Sequence, residues 1–222
     1  MFQGFSEQTI DFLWSIRFNN EKSWFEAHKD EYKRVLAEPM KSLASEVFEA
    51  FNEKHPGLGL DFSVSRIYRD ARRLHGRGPY KDHLWFSLHK GRDRLEKPTF
   101  WFELAPENWS YGLGYYSART QTMAKHRARI DRDPGPMEKL AHALNRQTEF
   151  VLEGESYKRP KGNPGSLLKD WYNMKNFSLI HEEEVSAALF SPDLTRRIVE
   201  GFSFLVPYYS YFITLDSDPD IL

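Results

Sequence analysis

Apolar positions change period twice along the chain, and those changes outline its architecture. Ile10, Leu13 and Trp14 share a face at three- and four-residue spacing behind Phe5 and Ser6, which predicts a first helix capped by Ser6. Asn19-Asn20 ends it, and Asn20 is placed to cap a second helix opening Glu21-Lys22-Ser23-Trp24-Phe25. Pro39 suits the first turn of a further helix, whose stripe runs Met40, Leu43, Ala44, Val47, Phe48 and Phe51. Beyond the His55-Pro56-Gly57-Leu58-Gly59 loop the spacing drops to two. Phe62 to Tyr68 reads as a strand, and in 83–89 Leu84, Phe86 and Leu88 oppose His83, Trp85, Ser87 and His89. Strands at 99–104 and 109–116 follow across short connections, so hairpins and an antiparallel sheet are expected.

Helical spacing returns at 119–130 and 137–144, with a short strand at 149–152 and a loop of four breakers at 157–165. Further helices are expected over 166–174, 182–190 and 193–206, with Pro207 ending or kinking the last before Tyr208-Tyr209-Ser210-Tyr211-Phe212. The expectation is a single α+β domain: helical from 6 to 54, a largely antiparallel sheet at about 60–116, and helical again from 119 to 212. Helices from both chain ends then pack on the sheet.

Composition narrows the chemistry. The 222 residues include 34 aromatic side chains, enough apolar area to offset the ordering entropy that leaves poorer chains disordered. With no cysteine, a disulfide scaffold, a thiol nucleophile and a thiolate metal site are excluded. No apolar run approaches the roughly 18 residues of a membrane span, and Met1 to Ser6 lacks the basic and apolar regions of a secretory signal. A cytoplasmic protein without a membrane partner is expected.

The formal net charge of −1 conceals a division along the chain. Residues 61–132 carry 15 basic and 8 acidic side chains, and from Arg66 to Arg92 there are eight basic residues against Asp70 and Asp82 alone. A local positive field in a neutral chain calls for an anion or for an acidic surface on the same molecule. The densest stretch is Arg66-Ile67-Tyr68-Arg69-Asp70-Ala71-Arg72-Arg73-Leu74-His75-Gly76-Arg77-Gly78-Pro79-Tyr80-Lys81. Guanidinium forks match carboxylate or phosphate oxygens two at a time, and Gly76, Gly78 and Pro79 can bring backbone N–H groups to a bound anion. The site residues indicated are Arg69, Arg72, Arg77, Lys81 and Arg127 as anion ligands, Asp70 to orient the arginines and Tyr80 to line the cleft. Arg127 is singled out because it shares a stripe with Thr120, Met123 and Ile130, where an arginine needs a partner; Lys125, Arg129 and Arg132 form a stripe expected to be solvated. His75 and His83 are the candidates for proton transfer. No metal is expected, since ligands drawn from Asp70, Asp82 and His83 would sit among uncompensated cations, and no cofactor is indicated.

Walker-type phosphate loops, GxGxxG, HExxH and GxSxG are all absent from the sequence. Gly112-Leu113-Gly114 lies in a strand pattern, where it suits close packing better than phosphate contact.

In order along the chain, Asn19-Asn20-Glu21-Lys22-Ser23-Trp24-Phe25, Arg69-Asp70 with Arg72, Pro79-Tyr80-Lys81, Arg127 with Ile130, and Tyr157-Lys158-Arg159-Pro160-Lys161-Gly162 resemble the elements of an uncharacterised bacterial family, domain of unknown function 2461. Members often carry Arg-Phe and then Asp-Lys before Pro-Tyr-Lys, where this chain has Arg72-Arg73-Leu74-His75-Gly76-Arg77-Gly78. The resemblance implies no particular activity. The residues by themselves point to an anion-recognising protein, with an enzyme acting on a phosphorylated or carboxylated small molecule as one form of that reading. The alternative is a non-catalytic module for an acidic protein or single-stranded nucleic acid, which aromatic residues such as Trp24, Trp85, Trp101 and Trp109 could stack. A third reading has every arginine satisfied internally.

Overall fold

A computed structural model describes residues 1–70, 72, 77–91 and 95–221. The helices are α1 (Glu7–Phe18), α2 (Lys22–Ala27), α3 (Lys29–Tyr32), α4 (Glu38–Lys54), α5 (Thr120–Arg132), α6 (Gly135–Asn145), α7 (Lys169–Asn173) and α8 (Leu194–Ile213). The strands are β1 (Asp61–Val64), β2 (Leu84–His89), β3 (Thr99–Leu104), β4 (Asn108–Gly114), β5 (Val151–Glu153) and β6 (Ser178–Glu184). They form one antiparallel sheet in the order β1-β2-β3-β4-β6-β5, so the fold is α+β with helices from both ends of the chain. The chain divides into two compact units, each assembled from three separate segments.

The first unit comprises Met1–Leu88, Trp101–Tyr111 and Glu182–Gly201. Its opening turn is set by Ser6 and Thr9, which exchange backbone and side-chain hydrogen bonds as a capping box. α1 buries Phe12, Leu13 and Ile16, and α4 buries Met40, Leu43, Ala44, Val47 and Phe51 along the expected stripe. Strand alternation also holds. Leu84, Phe86, Phe102 and Leu104 are buried, with the Phe86 and Phe102 rings stacked 5.4 Å apart, while Trp85 and Glu103 on the alternate positions are half-buried.

Two expectations fail in this unit. The strand read over 62–68 stops at Val64, because Ser65 takes both the Trp85 carbonyl and the Trp85 N–H, the latter with its hydroxyl. The chain then pairs with 79–81 instead, through Arg69 N–H to the Pro79 carbonyl (2.8 Å) and Lys81 N–H to the Ile67 carbonyl (2.7 Å). The helix read over 182–190 is absent: Glu182–Glu184 end β6, and short turns follow. Consecutive glutamates carry no alternation, so nothing in 182–184 signals the end of β6.

The second unit comprises His89–Phe100, Gly112–His181 and Phe202–Leu222. β5 pairs with β6 in the register Val151 to Ile180, Leu152 to Leu179 and Glu153 to Ser178. Gly112 lies against the Leu179 carbonyl and Gly114 against Phe177 and Ser178, where a Cβ would collide with backbone, so both glycines serve packing. The helix expected over 166–174 forms only at Lys169–Asn173.

Pro207 does not end the last helix, which continues to Ile213. Interior proline costs about 3 kcal/mol, and here it is outweighed by burial of Tyr208, Tyr209 and Phe212, whose rings meet Trp171, Phe100 and Phe177 at 6.2, 5.1 and 4.1 Å. By length and composition Leu194–Ser217, with mean hydropathy 1.2, could cross a membrane, a test that core helices also pass; half of that window is buried within the protein. The stripe of Lys125, Arg129 and Arg132 is not a uniformly solvated face. Lys125 is buried and pairs with Asp220 at 3.0 Å, Arg129 is largely covered and pairs with Asp218 at 2.7 Å, and only Arg132 is exposed.

Candidate functional site

The Pro79-Tyr80-Lys81 segment is fixed from two sides. Asn20 grips the Tyr80 backbone with its side-chain amide, Nδ2 donating to the carbonyl and Oδ1 accepting from the N–H, both at 2.9 Å. It does not cap the second helix, where Glu21 takes that position. Gly78 makes the grip possible, since a Cβ there would overlap the Asn20 side chain. Arg69 donates Nε to the same Tyr80 carbonyl at 2.7 Å. The Tyr80 ring is buried, stacked on Phe25 at 4.2 Å and beside Tyr68 at 5.4 Å. Tyr80 therefore anchors the segment and leaves its neighbour Lys81 to face the polar side of β2.

Lys81 places its ammonium 4.0 Å from the centre of the Trp85 ring, a cation–π contact. Burial pulls its pKa down to about 8, and the charges of Arg69 and then Arg66 push in the same direction. Glu103, on the facing strand, is the acid that works the other way, but burial pushes its own pKa above the ordinary value, against His83 and Lys81. Burial outweighs their mutual attraction in both groups, and no salt bridge joins Lys81 to Glu103 among the described residues.

Next to this cluster the charges are matched. Arg17 donates Nε to Asp82 Oδ2 at 2.5 Å and its two terminal nitrogens to Glu107. Burial opposes ionisation of Asp82, yet hydrogen bonds from Arg17 and His83 hold its pKa below the ordinary carboxylate value. Asp82 Oδ1 lies 3.1 Å from His83 Nδ1 and 3.5 Å from Arg69 Nη2. His83 in turn stacks on Trp85 at 5.7 Å.

The expected site residues thus take different positions. Arg69, Tyr80, Lys81 and His83 come together. Asp70 holds Arg72 bidentately at 3.0 and 2.7 Å, on a side chain 88% exposed. Arg77 is exposed. His75 and Gly76 lie outside the described residues. Arg127 belongs to the second unit, where its guanidinium lies 5.3 Å from the Tyr157 ring. Sequence reasoning missed Asn20 as a clamp, and it missed Arg17, Trp85, Glu103 and Glu107 as site-forming groups. Trp85 and Glu103 could have been found as polar-face positions of adjacent strands. Arg17 carries no local signal.

The profile of a conserved hypothetical protein family (DUF2461) matches residues 8–211. The chain belongs to that family. No curated protein matches it. The DUF2461 match spans the Asn20 clamp, the Lys81 cluster and the Arg127 helix alike.

A cavity of about 370 Å³ in the second unit offers a contrast. Lys97, Arg119 and Lys125 line it together with Glu96, Asp216 and Asp220. Lys97 pairs with Asp216 at 3.9 Å, Lys125 with Asp220 at 3.0 Å, and Arg119 with Glu96. Its charges cancel internally.

Proposed function

We propose that this DUF2461 member binds an anionic small molecule, phosphorylated or carboxylated, at the Lys81 cluster of its first unit. The observation that carries the reading is the Lys81 ammonium, half-buried on Trp85 between Arg66 and Arg69, with no carboxylate bonded to it among the described residues. Holding a desolvated cation beside two like charges is unfavourable, and an incoming oxyanion converts that repulsion into charge-assisted hydrogen bonds. The Asn20 clamp fixes the backbone of Tyr80, from which Lys81 follows.

The test is a thermal-shift and calorimetric screen of phosphate, phosphate esters and dicarboxylates against wild type and Lys81→Met. Arg69 is the poorer variant, since its loss also removes one of the two hydrogen bonds to the Tyr80 carbonyl. The expected result is stabilisation of the wild type by at least one anion class, weakened about tenfold or more in Lys81→Met, the loss of one charged hydrogen bond. Equal responses in both proteins contradict the site.

A second reading, catalysis on the bound anion, is favoured by the Asp82–His83 contact. A carboxylate at Nδ1 orients the imidazole and leaves Nε2 for proton transfer, while burial raises the pKa of Glu103 beside Lys81. Under that reading His83→Gln abolishes turnover of the ligand found in the screen and leaves its binding intact.

A further inference from the structure

We infer that the second unit carries an oxyanion site of its own, built by Arg127, Tyr157 and Lys161, which takes a phosphoryl group. It uses no residue of the Lys81 cluster.

Arg127 is half-buried on α5, and its Nη1 is fully covered without a hydrogen-bond partner among the described residues. A buried guanidinium N–H left unpaired costs on the order of 1–3 kcal/mol, so an acceptor from outside the protein completes it. The natural internal candidate is Asp131, one turn further along the same helix. Both Asp131 oxygens instead accept from the Tyr172 hydroxyl at 3.0 Å, and no ion pair joins Asp131 to Arg127.

The other half of the site comes from the basic loop that follows β5. The guanidinium of Arg127 lies 5.3 Å, and the ammonium of Lys161 4.8 Å, from the centre of one ring, that of Tyr157. Two cations on a single aromatic platform repel each other, and Lys158 and Arg159 between them in sequence are also exposed. No carboxylate pairs with either cation among the described residues.

The loop is held in this arrangement. Buried Asn173 accepts from the Lys161 N–H at 2.6 Å through Oδ1 and donates Nδ2 to the Gly162 carbonyl at 3.2 Å and the Lys169 carbonyl at 2.9 Å. Its own carbonyl accepts the Tyr157 N–H at 2.9 Å. Gly162 packs on the Tyr172 ring, where a Cβ would stand 2.7 Å from Cε1. A single asparagine therefore pins both ends of a segment that presents cations, an arrangement with no structural use for its charge. Fixed cations on one ring, lacking acids, suit the multiply charged oxygens of a phosphoryl group better than a single carboxylate.

The test titrates inorganic phosphate, pyrophosphate and acetate at constant ionic strength into ¹⁵N-labelled protein carrying Lys81→Met. In that background the first cluster is silenced, and the side-chain Nε–H resonance of Arg127 is followed. Phosphate or pyrophosphate is expected to shift that resonance saturably, acetate far less. Lys161→Met, at an exposed position that folding does not depend on, weakens the effect about tenfold, and Arg127→Lys, which keeps the charge but loses the fork, weakens calorimetric binding by about ten- to hundredfold. An Arg127 resonance unmoved by either phosphate, or affinity unchanged by both substitutions, overturns the inference. Neither result bears on Lys81, whose site is read in the protein with Lys81 intact.

Discussion

Arg17 and Lys81 lie on either side of Asp82 in the same unit, yet they are treated in opposite ways. Arg17 is bonded to two carboxylates, Asp82 and Glu107. Lys81 lies on an aromatic ring beside two arginine charges, with Glu103 attracting it but not bonded to it among the described residues. The second unit repeats the contrast on one helix. Arg129 bonds to Asp218, to the Tyr211 carbonyl and to the Thr214 hydroxyl, and two residues earlier Arg127 has a buried nitrogen with no hydrogen-bond partner among the described residues. Tied cations hold structure together. Cations without a bonded acid, on segments held by neutral clamps such as Asn20 and Asn173, carry an electrostatic penalty that the proposed anions would relieve.

That distinction is broken most directly on α5. Arg129→Met should destabilise the protein by about 3 kcal/mol, because it leaves Asp218 without its cation in a largely covered position. Arg127→Met should cost less than about 0.5 kcal/mol or add stability, since a buried charge without a partner disappears. Denaturant midpoints of the two variants decide it, and equal losses erase the contrast. In the first unit Arg17→Met should cost about 1–2 kcal/mol at neutral pH. Asp82 has a depressed pKa in the fold, so the stability it contributes is present above the ordinary carboxylate pKa and is lost as pH falls through the folded value. Arg17→Met should therefore flatten the acid limb of the melting temperature, whereas Lys81→Met leaves that limb in place.

Smaller effects sharpen the role of the clamp. Asn20→Ala removes both bonds to the Tyr80 backbone and should cost about 1–2 kcal/mol, with weakened phosphate binding although no ligand contact is deleted. Arg72→Ala should leave both melting temperature and anion affinity unchanged within error, because its pair with Asp70 is exposed.

Much of this fold was readable from periodicity. The α4 stripe and the alternation of β2 and β3 are two-sided patterns, and burial follows them apart from half-buried Phe48 and buried Ser87. Reading failed where tertiary packing overrode a local signal. Pro207 stays helical because the aromatic residues around it are buried, and Glu182 to Glu184 complete a strand with no alternation to announce it. For the site, the density of cations between Arg66 and Lys81 was visible, and Lys81 and Arg69 do meet. Which cation is tied was not visible. Arg127 and Arg129 sit in similar sequence surroundings, and their difference is made by Asp218, Asp131 and Tyr172, all distant in the chain or engaged elsewhere. Counterions reach across the fold, so sequence spacing cannot assign them.

Phosphate affinity of the wild type as a function of pH, at constant ionic strength, tests the central claim most directly. The folded pKa of Lys81 is depressed to about 8, so the bare ammonium loses its proton, and its grip on an anion, as pH rises through that value. The account predicts binding that weakens from about pH 7 to about pH 9.5 with a midpoint near 8, and a midpoint that disappears in Lys81→Arg, whose guanidinium stays charged throughout. Binding that is flat across this range in the wild type, or that falls identically in Lys81→Arg, would contradict it.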